Sequence, residues 1–371
     1  MVVHAHINTV PHGSTGRIMM AEHRRLLAGG EDSFAFWGRG RDAESDSEMK
    51  FSSDLDIALD AIATRLDGKS GFHSVAATRR LLARLDQIDP DVVHLHNLHG
   101  YYLNIQMLFE WLHRHHCRVE WTLHDCWAFT GHCAYFSFAR CDQWESCCAY
   151  SGNCPQLAAY PRTIAGSSTC MWCFKQKKAI FNMLEPDRMK LITPSRWLSD
   201  LVGRSFLFRY PVQVIPNTVD TSVFKPMESS VRDELGVGNR YMILGVASPW
   251  SERKGLPDFY TLANRIDPAS AVIVLVGVSR KQRKSLLPHM IGLSKTDSQV
   301  ELAELYSAAD VFFNPTYEDN YPTVNLEAEA CGTPVITYDT GGSPETITLS
   351  DSRVVANVDE AVDLLSRLCL R

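Results

Sequence analysis

The sequence predicts two doubly wound α/β domains joined by a short hinge, and three observations carry the prediction. Residues 1–213 alternate short apolar runs with helical patterns, and residues 227–371 repeat that alternation. Between them VIPNTVDTSVFKP (214–226) holds two prolines, polar turn residues and no helical period, as a hinge does. At 371 residues the chain is long enough for two cores of ordinary size. Two such domains face a central ligand cleft at the carboxyl ends of their strands.

The elements follow in order. In the first domain the apolar runs Val2–Ile7, Ser33–Trp37, Val92–Leu95, Val119–Leu123 and Leu191–Thr193 read as buried strands. Amphipathic spacing predicts helices over Gly16–Ala28, Leu55–Leu66, Ser74–Gln87, Ile105–His115 and Arg196–Arg204. Asp89-Pro90-Asp91 breaks the chain, and Thr193-Pro194-Ser195 does so again with Ser195 as an N-cap. In the second domain the strands are Met242–Val246, Ala271–Val276, Val311–Asn314 and Pro334–Tyr338, with helical patterns such as Leu302–Ala309 between them. From Val324 the string VNLEAEA is helical, and Cys331-Gly332 ends it.

Composition narrows the class. With 22% charged and 45% hydrophobic residues the chain reads as a soluble globular enzyme, and a net charge of −6 argues against nucleic acid as the main partner. No apolar run has the length of a membrane-spanning helix, and no basic stretch precedes an apolar leader, so the expected location is the cytoplasm. The basic run RKQRK (280–284) leaves peripheral contact with the inner face of a membrane open, against the plainer reading of a solvated helix face.

Four segments carry chemistry. In TVPHGSTGRI (9–18), Gly13 and Gly16 let backbone approach a ligand closely, and Ser14 and Thr15 add donors; a tight structural turn is the alternative. WTLHDCWAFTGH (121–132) puts His124 and Asp125 just past a buried strand, and His94, His96, Asn97 and His99 form a similar cluster earlier. In ILGVASPWSERKGL (243–256), Lys254 opens a helix where a flexible ammonium can neutralise a phosphate, with Arg253 beside it. In EDNYPTVNLEAEACGTPVI (318–336), Asp319 and Glu327 stand eight positions apart across a turn and a helix start. The amides near Thr323 and Val324 suit a diphosphate, Asn320 lies in the turn, and the two acids are better placed to read sugar or ribose hydroxyls than to touch phosphate.

These strings, with TPSRWL (193–198), IPNTVD (215–220) and NPTYEDN (314–320), resemble glycosyltransferase family 4, the retaining enzymes of the GT-B fold, over most of the chain. The closest likeness is to a Cys-rich subgroup associated with bacterial capsular or exopolysaccharide synthesis. The resemblance implies two Rossmann-like domains. The first is the acceptor-side domain, 1–213, and the second, 227–371, binds a nucleotide-diphosphate sugar. It implies transfer of a hexose-like sugar to a lipid-linked or oligosaccharide acceptor, without a catalytic metal. It assigns His124 to the transferred sugar, the Gly13–Gly16 loop to diphosphate and acceptor, Lys254 to the leaving phosphate, and Asp319 and Glu327 to the donor. One departure matters: Ser248 stands where many members carry an arginine, and Arg253 is the candidate replacement. A nucleotide-sugar epimerase and a degenerate, non-catalytic GT-B module remain as alternatives.

Nine of the eleven cysteines fall between Cys117 and Cys173, inside a Cys-rich insertion over about 126–175. Four thiolates can close a structural zinc site, and Cys133, Cys141, Cys148 and Cys154 match an insertion seen in the similar subgroup. Reduced, semi-buried thiols and disulfides are the other two readings.

Overall fold

The computed structural model describes residues 2–370 and divides between Pro216 and Asn217 into two compact units. In the first, β1 (Val3–Asn8), α1 (Gly13–Ala28), β2 (Asp32–Trp37), β3 (Glu48–Lys50), α2 (Asp54–Asp67), α3 (Val75–Ile88), β4 (Val92–Leu95), α4 (Ile105–Arg114), β5 (Arg118–Thr122), α5 (Ser168–Phe181), β6 (Met189–Thr193), α6 (Arg196–Arg204) and β7 (Val212–Val214) follow one another. Their seven strands form one parallel sheet in the order β3-β2-β1-β4-β5-β6-β7. The order reverses between β1 and β4, so the loops leaving these two strands diverge and open a crevice at their carboxyl ends.

The second unit runs α7 (Val231–Glu234), β8 (Tyr241–Val246), α8 (Leu256–Ala263), β9 (Ala271–Val276), α9 (Arg280–Arg283), β10 (Met290–Leu293), α10 (Gln299–Ala308), β11 (Val311–Asn314), α11 (Thr323–Ala330), β12 (Val335–Tyr338), β13 (Arg353–Val355) and α12 (Val358–Leu368). Its parallel sheet has the order β10-β9-β8-β11-β12-β13, with the reversal between β8 and β11. Strand β9, AVIVLV, is buried at every position because helices cover both faces of a parallel sheet. Both are doubly wound parallel sheets, as the sequence predicts.

Most predicted elements are present with ends shifted by one to three residues. Ser195 caps α6 by accepting from the Leu198 amide at 3.0 Å. Strands β3, β7, β10 and β13 were not expected; all are three or four residues long, and a run that short leaves no period to read. Helix α5 was hidden by its own cysteines. Its buried face is Cys170, Cys173, Phe174, Lys177, Ile180 and Phe181, an ordinary helical spacing in which two thiols are core residues. The Cys-rich insertion therefore ends in helix, and only its part before Ser168 is irregular. Helix α1 begins at Gly13, not Gly16, so Ser14 and Thr15 lie in its first turn. Among the described residues no helix is long and apolar enough to cross a membrane.

Candidate functional site

In the second unit the fold itself brings Lys254 to Asp319. Lys254 lies in the loop after β8 and Asp319 in the loop after β11, the two strands flanking the reversal. The Lys254 ammonium donates to Asp319 Oδ2, and the Arg253 guanidinium stands 3.9 Å from that oxygen while donating to the Glu318 carbonyl. Burial raises the Asp319 carboxyl, but Lys254 first and Arg253 second outweigh it and hold it below the usual carboxylate range. The pair is mostly buried, with side-chain exposures of 23% and 13%. Asp319 is ionised at neutral pH, and the cluster keeps one net positive charge.

The backbone around this cluster is fixed by glycine. Gly255, at φ +72°, approaches Pro315 so closely that a Cβ would sit 2.1 Å from the Pro315 carbonyl oxygen. Gly341, at φ +58°, does the same to the Asp319 carbonyl oxygen, again at 2.1 Å, and the Gly342 amide donates to that oxygen at 3.0 Å. Only glycine combines positive φ with that proximity. The Asn320 amide donates to Asp319 Oδ1 at 2.9 Å and turns the chain toward α11. Helix α11 starts at Thr323 after Pro322, and no side chain caps its first turn, which leaves the amides of Thr323 and Val324 without a capping acceptor from Pro322.

Glu327 differs from expectation. It was expected to line a cleft, yet it is 3% exposed and accepts from the Tyr306 hydroxyl at 3.2 Å. Two residues on, Glu329 is a structural acid: it accepts from the amides of Thr348 (2.8 Å) and Leu349 (3.2 Å) and from the Ser352 hydroxyl (2.7 Å). Helix α11 is held to β11 by an Asn314–Asn325–Thr346 chain of two 2.8 Å hydrogen bonds. Tyr306, from α10, is a residue that sequence reasoning missed, since a tyrosine on an amphipathic helix carries no signal of what it reaches.

In the first unit the loops after β1, β4 and β5 are tied together. The Thr9 hydroxyl donates to the His99 carbonyl at 2.6 Å, the Asn97 amide to Asn8 Oδ1 at 3.2 Å, and the Trp121 indole to the His96 carbonyl at 3.0 Å. Gly16 must lack a Cβ, which would lie 2.5 Å from the Pro11 carbonyl carbon. His124 shares a hydrogen bond of 3.1 Å between its Nε2 and His96 Nδ1, with the rings stacked at 5.4 Å. Burial lowers the His124 imidazole to about 4, so it is neutral at pH 7. Asp125 is occupied, accepting from the Trp127 amide of its own loop at 2.9 Å and paired at 2.8 Å with His99 Nε2 from the loop after β4.

Lys177 was also missed. It is 1% exposed, donates to the carbonyls of Trp127 (2.8 Å) and Thr130 (3.1 Å), and lies 3.4 Å from the Trp127 ring centroid. Burial lowers its ammonium to about 8. It organises the loop after β5 from beneath. The four expected zinc ligands, Cys133, Cys141, Cys148 and Cys154, line one small cavity with Cys170 and His132. Among the described residues, however, the one group of three or more candidate ligands drawn within 4.8 Å is His6, His94 and His96. None of the eleven cysteines is in a disulfide.

The second unit thus joins a lysine to a carboxylate at a sheet reversal, beside a helix start that suits an anion. Residues 230–369, in the second unit, match the model for glycosyl transferases group 1. The chain is 22% identical to the putative colanic acid biosynthesis glycosyl transferase WcaC of Escherichia coli K12, over 95% of this chain and 86% of that protein. It is 30% identical to the D-inositol 3-phosphate glycosyltransferase of Corynebacterium jeikeium over 42% of each chain. Its fold is similar to sucrose-phosphate synthase from Thermosynechococcus elongatus, with a TM-score of 0.69, 15% identity, and coverage of 100% of this chain and 90% of that one. It is also similar to Anabaena HepE in complex with UDP-glucose, with a TM-score of 0.63, 14% identity and coverage of 100% and 90%.

Proposed function

We propose that the chain transfers a hexose-like sugar from a nucleotide-diphosphate sugar to a hydroxyl of a lipid-linked or saccharide acceptor, with retention, in surface polysaccharide synthesis. The observation that carries the reading is the Lys254–Asp319 pair at the reversal of the second sheet, next to the open amide end of α11. Both features suit a diphosphate: a mobile ammonium follows charge onto a leaving group, and helix-end amides accept an anion without a counter-charge. The E. coli relative named for colanic acid biosynthesis supports the acceptor class. The HepE complex with UDP-glucose supports the donor class.

In this reading the bond from the sugar's anomeric carbon to the diphosphate oxygen breaks, and its electron pair leaves with the diphosphate. The acceptor hydroxyl bonds to that carbon on the same face, and its proton passes to a diphosphate oxygen. Lys254 and Arg253 stabilise the charge that grows on the leaving group, and the amides of Thr323 and Val324 share it. Asp319, Asn320 and Glu327 orient donor hydroxyls. In the first unit, His124 as a neutral imidazole hydrogen-bonds the transferred sugar, and Gly13, Ser14, Thr15 and Gly16 give the acceptor and diphosphate a close-approach surface.

The test is donor turnover. The full chain is incubated with a panel of UDP-, GDP- and ADP-hexoses, with membrane lipid extract as acceptor source. Proton NMR then follows release of the nucleotide and the anomeric configuration of the product. Release of nucleoside diphosphate with an α-configured product from an α-configured donor is expected. Inverted product would remove the retaining mechanism, and absence of any donor turnover or binding would favour a non-catalytic module.

A further inference from the structure

Strand β1 carries His4-x-His6, and strand β4 carries His94 and is followed directly by His96, whose amide donates to the Ile7 carbonyl at 2.9 Å; β1 and β4 are neighbours with His6 in register with His94. Residues two apart on a strand share a face, so His6, His94 and His96 all project to one side of the sheet at its reversal. One ring nitrogen of each lies within 4.8 Å of those of the other two. His6 and His96 are each 1% exposed. Neither ring nitrogen of His6 has a hydrogen-bond partner, and neither does His96 Nε2. An unpartnered buried polar atom is destabilising, so three such nitrogens on two buried rings call for an occupant.

We propose that His6, His94 and His96 bind one divalent transition-metal ion of the zinc class through three imidazole nitrogens, with the fourth tetrahedral position open. Imidazoles buried together are held uncharged, which leaves each a lone pair to donate. Three nitrogen ligands suit zinc, at ligand distances of about 2.0–2.1 Å, so the rings close inward on the ion by small side-chain rotations. A shell that orients two of the rings is already built. His94 Nε2 is 2.8 Å from the Thr122 hydroxyl, and His96 Nδ1 is 3.1 Å from His124 Nε2. Such partners fix which nitrogen is left for the metal. His94 then binds through Nδ1 and His96 through Nε2.

Under the function proposed above, the choice at His96 has a consequence for the sugar contact. With His96 Nε2 on the metal, its proton sits on Nδ1 and donates to His124 Nε2. His124 is then obliged to carry its own proton on Nδ1. The metal would set the tautomer of His124 without touching the substrate.

The experiment reads the metal directly, so it is independent of whether transfer is observed. Chelator-treated full chain is titrated with Zn(II) by calorimetry and with Co(II) by visible spectroscopy. One ion per chain, with a nitrogen-and-oxygen Co(II) spectrum free of thiolate charge transfer, is expected. His94→Gln, at a partly exposed position, and His6→Phe should each weaken binding by about tenfold or more. Cys148→Ser should leave it unchanged. Should His6→Phe fail to fold, the wild-type spectrum and His94→Gln still decide. No uptake by wild type, a thiolate Co(II) spectrum alone, or binding unaffected in both histidine variants would overturn the site.

Discussion

Lys254→Ala tests the leaving-group role most directly. Lys254 is the nearer of two cations at Asp319, because the Arg253 guanidinium stands 3.9 Å from the shared oxygen and is anchored to the Glu318 carbonyl. Anchored in that way, Arg253 cannot swing in to replace a lost ammonium. The variant therefore loses the mobile charge outright, which by comparison with single electrostatic contacts in other active sites costs about 10²–10³ in turnover, or about 2.7–4 kcal/mol. Asp319 keeps the Asn320 amide at 2.9 Å and the Arg253 guanidinium at 3.9 Å, which should hold the stability loss below the roughly 3–5 kcal/mol of a buried charge left unpaired. The assay is single-turnover transfer at saturating donor, beside calorimetric binding of the nucleoside diphosphate and a urea melt. Lys254→Arg should rescue poorly, since a planar fork does not reproduce a compact ammonium. Turnover within threefold of wild type would refute the role, and a large loss of stability would show the residue to be structural.

Three further outcomes are expected. Glu327→Gln keeps an acceptor for the Tyr306 hydroxyl and removes only charge, so donor affinity measured by calorimetry should fall by about 1.5–3 kcal/mol; unchanged affinity would end the assignment. Lys177 titrates near 8 in the fold against 10.5 ordinarily, so between these values the unfolded chain binds the extra proton and stability rises with pH. The stability of wild type relative to Lys177→Met, from urea melts at pH 7.5 and 10, should increase by on the order of 2–3 kcal/mol, and a constant difference would contradict the buried ammonium. The hydrogen bond from Cys170 lowers the Cys154 thiol to about 7, whereas burial pushes Cys148 up to about 12. Alkylation at pH 7 followed by peptide mapping should therefore label Cys154 well before Cys148. Protection of Cys154 until a chelator is added would instead support the zinc reading.

The sheets were legible where strands are apolar-rich runs separated by amphipathic helices, most plainly at AVIVLV, 271–276. Lys254 and Asp319 stand out in the sequence by their local strings, and the fold brings the two together at strand ends beside the reversal. What stayed hidden is lateral. Nothing in the sequence says that Tyr306 reaches Glu327, or that Lys177 lies under Trp127, because those meetings depend on how α10 and α5 pack. The histidines show the same limit. His4, His6, His94 and His96 are plain in the sequence, but only the pairing of β1 with β4 puts two pairs side by side. The cysteines show a further limit: Cys133, Cys141, Cys148 and Cys154 line one cavity, while the equally clustered Cys170 and Cys173 belong to a helical core face, a difference that density alone does not mark.

The two glycines that grip the Asp319 loop bear on how this enzyme could diverge. With Gly255 against Pro315 and Gly341 against Asp319 itself, any side chain at either place would push the loop away from Lys254. The backbone there is closed to gradual change by point substitution, since even one methyl group meets a carbonyl oxygen at 2.1 Å. New donor preferences would have to arise from side chains mounted on an unmoving frame, at 319–323 and along α11. A laboratory search for altered donors is best aimed at those positions, with Gly255 and Gly341 held constant.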